Sequence, residues 1–299
     1  MKDLKYLLVL ITLLIFSSSL CAGIVFFGYF ENRLFIIDNR TCSWDDFNNK
    51  FKLGDYNRLR LIMNAKPDNN IAIHLAVDLF SFHGLISSPF GTREETNLTD
   101  AVKIIPDRLY ADLHFKTFDL SIGRQRIPIG VSYLWAPLDV FGRVNFFEPK
   151  EEKPGVNAFK LYFPLGSSSS ISGVFSLDES LKTSKSAIRA QTSLAGIDGA
   201  LTIINRGDTE STIYGLDLRG ENLIGWWFEM ALSRGMMYSD RIVLGFDATF
   251  PIGSGLYWLN EFYYDSSGSA QASAYKFDLL SSGDRFTLGK CYLMSMLRL

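Results

Sequence analysis

"DRLYADLHFKTFDLSIGRQ", residues 107–125, is the stretch whose reading decides the fold. In an extended chain Leu109, Ala111, Leu113 and Phe115 share one face, and Arg108, Tyr110, Asp112, His114 and Lys116 share the other. That two-residue period belongs to a β-strand, whose successive side chains point to opposite faces. One face is apolar and the other polar and largely ionisable. Such a strand sits at a boundary, either between lipid and water or between a packed core and water. A very short turn folds the second half of the stretch back on the first. A long connection, "RIPIGVSYLWAPLDVFGRVNFFEPKEEKPG" (residues 126–155), then leads to another alternating strand, "VNAFKLYFPLG" (156–166).

The pattern recurs on both sides of this centre. Strands are expected at 24–37, 57–65 and 71–80, then at 107–116, 117–125 and 156–166. Further ones follow near 171–177 and at 187–195, 199–206, 212–220, 226–233, 241–250, 256–265 and 288–299. Polar loops are expected at about 38–54, 84–106 and 266–285. Two places break the pattern. Leu120 and Ile122 share parity with Arg124, so either a bulge shifts the register or Arg124 lies beyond the apolar band. At 256–265 neither face is cleanly apolar.

Connections after the first, third, fifth and thirteenth strands are long and polar, whereas those after the even-numbered strands are short. Such alternation marks an up-and-down antiparallel barrel with one rim outside the cell and the other in the periplasm. Strands of about 9 to 11 residues suit a tilted membrane crossing. Aromatics collect near strand ends (Phe27, Tyr29, Tyr110, Tyr162, Trp226, Trp227, Trp258, Tyr264, Tyr292), where rings sit at a lipid–water boundary. A secreted β-sandwich would also alternate, with its apolar face turned into a core. Alternation by itself does not separate the two.

Composition narrows the class. Thirty Lys and Arg against 32 Asp and Glu leave a net charge of −2, which excludes nucleic-acid binding through bulk charge. Fourteen per cent aromatics, with 24 Phe and 24 Gly, suits strands joined by tight turns. Residues 1–22 read as an export leader: Lys2 and Lys5, the apolar run "LLVLITLLIF", and the small-residue exit "SSSLCAG". No later stretch reaches the roughly 18 apolar residues a spanning helix needs. An exported chain that enters a membrane without such helices must close as a barrel. The expectation is therefore an all-β transmembrane antiparallel up-and-down barrel of about 14 strands over residues 23–299. Cys42 and Cys291 remain after export, as incidental thiols or as one disulfide.

"GRQRIPIG" (123–130) and "APLDVFG" (136–142), with "YGLDLRGE", "VLGFDATF" and "LNEFYYDSSG" further on, resemble outer-membrane porins of Gram-negative bacteria, and most of all phosphate-selective-porin-like barrels. The likeness runs from about residue 24 to the end. It implies that a third loop, about 128–154, folds into the lumen and narrows it. It further implies passive diffusion of small polar or anionic solutes and residence in the outer membrane. Lipid and the barrel-insertion machinery would be its partners, a homotrimer is one assembly it allows, and no cofactor is expected. Such barrels usually end on an aromatic, while this chain ends Leu297-Arg298-Leu299. Two expectations stand side by side, a chain truncated from about 16–18 strands and a fourteen-strand barrel.

The residues expected to line the lumen are Arg58, Arg60, His74, Asp78, Arg108, Asp112, His114, Lys116, Lys160, Arg189, Asp217, Arg219, Glu229 and Asp247. Asp139, Glu148, Glu151 and Glu152 fall on the third loop. Cations on the wall facing acids on the loop would set up a transverse field and favour anions. The same charges could equally pair with one another and only solvate the lumen. His74, Asp78, Asp112 and His114 could gather into a cluster of the kind a barrel hydrolase or a metal site would use. A plugged barrel that is structural or adhesive is the remaining alternative.

Overall fold

Among the described residues of the computed structural model, fourteen strands form along the segments where side chains alternate. Residues 23–38, 51–84, 100–142, 153–178, 180–236, 238–275 and 287–299 are described. The strands are β1 (Ile24–Asp38), β2 (Phe51–Asp68), β3 (Ile71–Gly84), β4 (Asp100–His114), β5 (Asp119–Gln125), β6 (Val156–Pro164) and β7 (Ser169–Ser176). They continue as β8 (Lys185–Leu194), β9 (Ile197–Arg206), β10 (Ser211–Glu221), β11 (Gly225–Gly235), β12 (Ser239–Phe250), β13 (Leu256–Asp265) and β14 (Cys291–Arg298). Sheet order is chain order, and the fold is all-β and up-and-down antiparallel. The chain divides into two units, Met1–Leu113 and His114–Leu299.

Several boundaries differ from expectation. β2 begins at Phe51 and β4 at Asp100, so both strands extend into segments whose polarity had marked them as loop. Both extensions hold apolar residues, Phe51 and Leu53 in β2 and Val102, Ile104 and Ile105 in β4, so the signal was present in the segments read as loop. β14 starts at Cys291, three residues later than expected. Arg124 pairs with Asn157 in unbroken register with Ile122↔Phe159 and Leu120↔Leu161. No bulge is present there, and Arg124 stays in the column of Leu120 and Ile122, near the end of β5. A bulge does occur between β3 and β4, where Ala76 pairs with Arg108 and Val77 with Pro106. Asp107 is the extra residue, so Asp107 and Arg108 leave the strict alternation together.

The faces are exposed in an order opposite to that of a soluble protein. On β8 and β9 the apolar column is bare, with Ile188 64% and Leu201 65% exposed, while Thr202 and Ile204 on the opposite face are buried. In the first unit Leu59, Leu61 and Leu109 are exposed, while Arg58, Arg60 and Asp78 are buried. A sandwich buries its apolar columns. Here they form a broad unpartnered surface, far beyond the isolated apolar residues of an ordinary exterior.

The polar face of the second unit is covered by its own chain. Residues 126–142 lie across it, and Ile127, Ile129, Leu138 and Phe141 pack with Ala158, Val174, Ala187, Ile204, Ile213 and Ala231. Val131 and Trp135 pack nearby against Trp227, Val243, Leu259 and Tyr263. This explains why 256–265 shows no clean apolar face. Leu259 and Tyr263 are buried beneath the covering segment, not on the bare side.

Candidate functional site

Two carboxylates hold the covering segment. Glu229 on β11 and Glu261 on β13 are each 0% exposed. Glu229 Oε2 accepts the N–H groups of Val131 (2.9 Å) and Ser132 (3.0 Å) and the Ser132 hydroxyl (2.8 Å), and its Oε1 accepts Leu138 N–H (2.9 Å). Glu261 accepts the N–H groups of Tyr133, Leu134 (2.8 Å) and Trp135 (3.3 Å), and the Trp227 indole N–H (2.8 Å). A segment without regular structure must satisfy its amides somewhere. Here the donors converge on two anions, and charge-assisted bonds of this kind are the stronger ones.

Backbone shape permits the approach. Gly130 has φ +93°, a region that favours glycine, and a Cβ there would stand 2.5 Å from Glu229 Oε2. Gly215 on β10 leaves the space that the Leu138 side chain fills. The Trp135 ring stacks on Tyr263 at 5.5 Å between centroids and an interplanar angle of 11°. At the base of the segment Asp139 is bonded by Lys153. Burial pushes its carboxyl above the ordinary value, and Lys153 and Arg126 oppose that. It therefore faces Lys153 and does not present a free negative charge.

In the first unit Arg58, Arg60 and Arg108 each meet an acid. Arg58 bonds Asp78 through Nε and Nη2, both at 3.0 Å, and its guanidinium lies 5.6 Å from the Phe80 ring centre. Arg60, 1% exposed, reaches Asp78 Oδ2 at 3.4 Å and also bonds Asp107. Arg108 Nε stands 3.5 Å from Asp107. In the second unit Arg189 makes a two-pronged contact with Asp217 (2.6 and 2.8 Å) and bonds Thr202 Oγ1 at 2.8 Å. These groups form the self-paired set that had stood as the alternative to an open cation row. Burial forces the outcome, because an unpaired charge out of water costs several kcal/mol, on the order of the whole stability of a domain.

No family model matches the sequence, and none of the curated proteins does. Among solved structures, the chain is similar to a mutant porin of Rhodopseudomonas blastica, with 11% identity over 81% of this chain and 84% of that one and a TM-score of 0.47. It is similar to Salmonella typhi OmpF, in a structure titled as a complex with daunomycin, with 10% identity over 84% and 81% and a TM-score of 0.48. It is also similar to OccD3 (OpdP) of Pseudomonas aeruginosa, with 10% identity over 82% and 57% and a TM-score of 0.44.

The expected His/Asp cluster is divided among three places. His74 bonds Asn64 Oδ1 at 2.8 Å and approaches Asp112 at 3.3 Å, stacked on Tyr110. Asp78 belongs to the arginines. His114 ends β4 and meets Asp119 across the turn at 2.9 Å. Register accounts for this, since Asp78 is directly opposite Arg60 on β2 and His114 lies beyond Leu113, where the pairing of β4 with β3 ends. Lys116 lies in that turn and not on a strand face. Lys160 and Arg219 stay on the polar face of the second unit, and Asp247 accepts the Tyr257 hydroxyl at 2.7 Å. Among the described residues no group of three or more His, Cys, Asp or Glu is placed to hold a metal. Glu148, Glu151, Glu152 and Cys42 lie outside the described residues, and Cys291 is an exposed free thiol.

Sequence reasoning missed Asp107 and Glu261. The signal for Glu261 was a lone acid flanked at i±2 by Leu259 and Tyr263, the same setting Glu229 has between Trp227 and Ala231. An isolated carboxylate within an apolar column needs donors, and the covering segment supplies them.

Beyond the strands, Asp208 sits in the turn after β9. Burial pushes its carboxyl up, but bonds from Arg206 (3.1 and 2.9 Å) and the neighbouring Lys185 (3.4 Å) outweigh it and hold the group below its ordinary value. A depressed carboxylate stabilises above its unfolded value and loses that contribution as pH falls through the folded one. Asp208→Asn is thus expected to lower the melting temperature slightly at pH 7 and to leave it unchanged well below pH 3.8. Thermal melts in detergent at the two pH values check this.

Proposed function

We propose that this chain is a porin-like channel of a bacterial outer membrane, through which small polar solutes diffuse down their gradients without a chemical step. The observation that carries the reading is the inverted burial of the strands, with apolar columns bare and ionisable groups covered. Only lipid leaves a surface of this kind stable, and in lipid strands must satisfy one another's backbone groups. The leader-like residues 1–22 and the rim-separated connections support export and this orientation. Residues 126–142, docked on the polar face, support the expected narrowing loop. The dispersed His and Asp residues favour transport over hydrolysis. Insertion machinery and lipid are the partners implied, and trimer formation is compatible with the bare face.

The anion preference expected from Arg58, Arg60 and Arg108 loses support, since Arg58 and Arg60 are committed to Asp78 and Asp107. Selectivity would instead rest on the cations of the second unit's polar face. Purified chain in planar lipid bilayers is expected to give stepwise currents. Lys160→Glu with Arg219→Glu is expected to move the reversal potential towards cation preference. A silent bilayer, with folding confirmed by gel mobility, would overturn the channel reading in favour of a plugged structural barrel.

A further inference from the structure

The bare columns of the second unit stop on polar residues at the end of the strands from which residues 126–155 depart. Asn157 ends the column of β6, Ser186 that of β8, Asn205 that of β9, Thr212 that of β10 and Asp240 that of β12. Arg124 stands in this row. It pairs with Asn157, two residues beyond Ile122, whose partner is the exposed Phe159. Arg234 in the same row is bonded to Asp240 at 2.5 Å and lies over the Tyr238 ring at 4.4 Å. Arg124 differs. Among the described residues no acid and no acceptor meets its guanidinium, and its Nε is enclosed without a partner. Beside it a cleft of about 550 Å³ crosses β6, walled by Ile122, Phe159 and Leu177, with Asn157 at the side next to Arg124. Asp178, on the far wall, is already engaged within the protein.

We propose that Arg124 and this cleft seat one phosphorylated lipid, with its phosphate on the guanidinium and an acyl chain along Ile122, Phe159 and Leu177. The proposal rests on the membrane-barrel reading and names a partner for its outer surface. A donor enclosed without an acceptor costs about 1–3 kcal/mol. An acid of the protein removes that cost at Arg234, and none does so at Arg124. The acceptor then comes from the surroundings. Where apolar columns give way to polar residues the surroundings are lipid headgroups, and phosphate is their common anion. A guanidinium meets phosphate oxygens two at a time, which an ammonium group does not. A turn of the long, flexible side chain towards Asn157 brings Nε and one Nη to the phosphate together. The apolar walls of the cleft then take the chain that the phosphate carries, and burial of its methylenes adds to the attraction.

The test is native mass spectrometry of the full chain in detergent, with gel mobility showing that each variant is folded. The probes are phosphatidic acid, diacylglycerol with the same chains, and inorganic phosphate. Phosphatidic acid is expected to be retained severalfold better than diacylglycerol, and inorganic phosphate is expected not to displace it. Arg124→Met should bring phosphatidic acid down to the level of diacylglycerol, and Arg124→Lys should keep only part of the difference. Leu177→Trp, which fills the cleft, should weaken retention with the charge in place. Arg234→Met, at a cation already bonded to Asp240, should leave retention unchanged. Equal retention by Arg124→Met and the unaltered chain, equal loss in Arg234→Met, or equal retention of diacylglycerol overturns the phosphate seat while the barrel stands. Displacement by inorganic phosphate overturns it in favour of a free-anion site. A chain that stays monomeric without detergent and retains no lipid at all overturns the membrane reading itself.

Discussion

Replacing Glu229 and Glu261 together with alanine is expected to release residues 126–142 from the polar face and to raise single-channel conductance at least severalfold. Each carboxylate accepts four donors, those of Leu138 and Trp227 buried and the rest part-buried. A buried donor left without its partner costs about 1–3 kcal/mol. Losing four at once exceeds what the apolar contacts of Leu138 or Ile129 return, so the segment leaves the wall and its amides turn to water. Gly130→Val should act the same way from the other side, by driving a side chain into the Glu229 carboxylate. Limited proteolysis supplies a second readout, with new cleavage between residues 127 and 141. Unchanged conductance and unchanged protection would mean that the apolar contacts alone hold the segment.

Arg60→Met is expected to destabilise the first unit by about 3–5 kcal/mol, the usual result of removing one member of a buried charge network. The substitution removes the Arg60 bond to Asp107, which keeps Arg108 at 3.5 Å, and weakens the hold on Asp78, both buried. A shifted urea midpoint, followed by the gel mobility of folded against unfolded chain, measures it. Ion preference should change little, because Arg60 is 1% exposed and its charge is matched. The triple change Arg58→Glu, Arg60→Glu and Arg108→Glu would place five acids in one cluster with Asp78 and Asp107. Its expected result is loss of folding, not a reversed selectivity. Replacing Arg60 and Asp107 together by apolar residues of similar volume should recover much of the loss. Failure of that rescue would show that the network's geometry, not its charge balance, is what the unit needs.

The two predictions concern different devices built from one vocabulary. In the first unit acids meet guanidinium groups on neighbouring strands, and the result is a stiff, neutral patch of wall. In the second, acids meet backbone amides of a segment remote in sequence, and the result is a loop fixed in place. Each uses one carboxylate that had been expected to face solute, Asp78 in the first and Glu229 in the second, beside one that had not, Asp107 and Glu261.

Strand number, antiparallel order and the identity of the two faces were legible in the chain by itself, because a period of two is a local property. Leu109 and Asp112 declare their opposite faces within four residues. The separation of long from short connections was equally local. What alternation left open was the medium on the apolar side, since Leu201 looks the same whether it meets a core or lipid. The tertiary arrangement decided which face is covered, leaving Leu201 bare and Thr202 buried. It also decided which charges are spent on one another. Arg60 finds Asp107 because β2 and β4 flank β3 and a bulge at Asp107 releases that residue from the strict alternation. Glu261 finds Tyr133 from 128 residues away. Contacts of that range depend on how strands register and where a covering segment lies, and neither quantity is written in the spacing of neighbouring side chains.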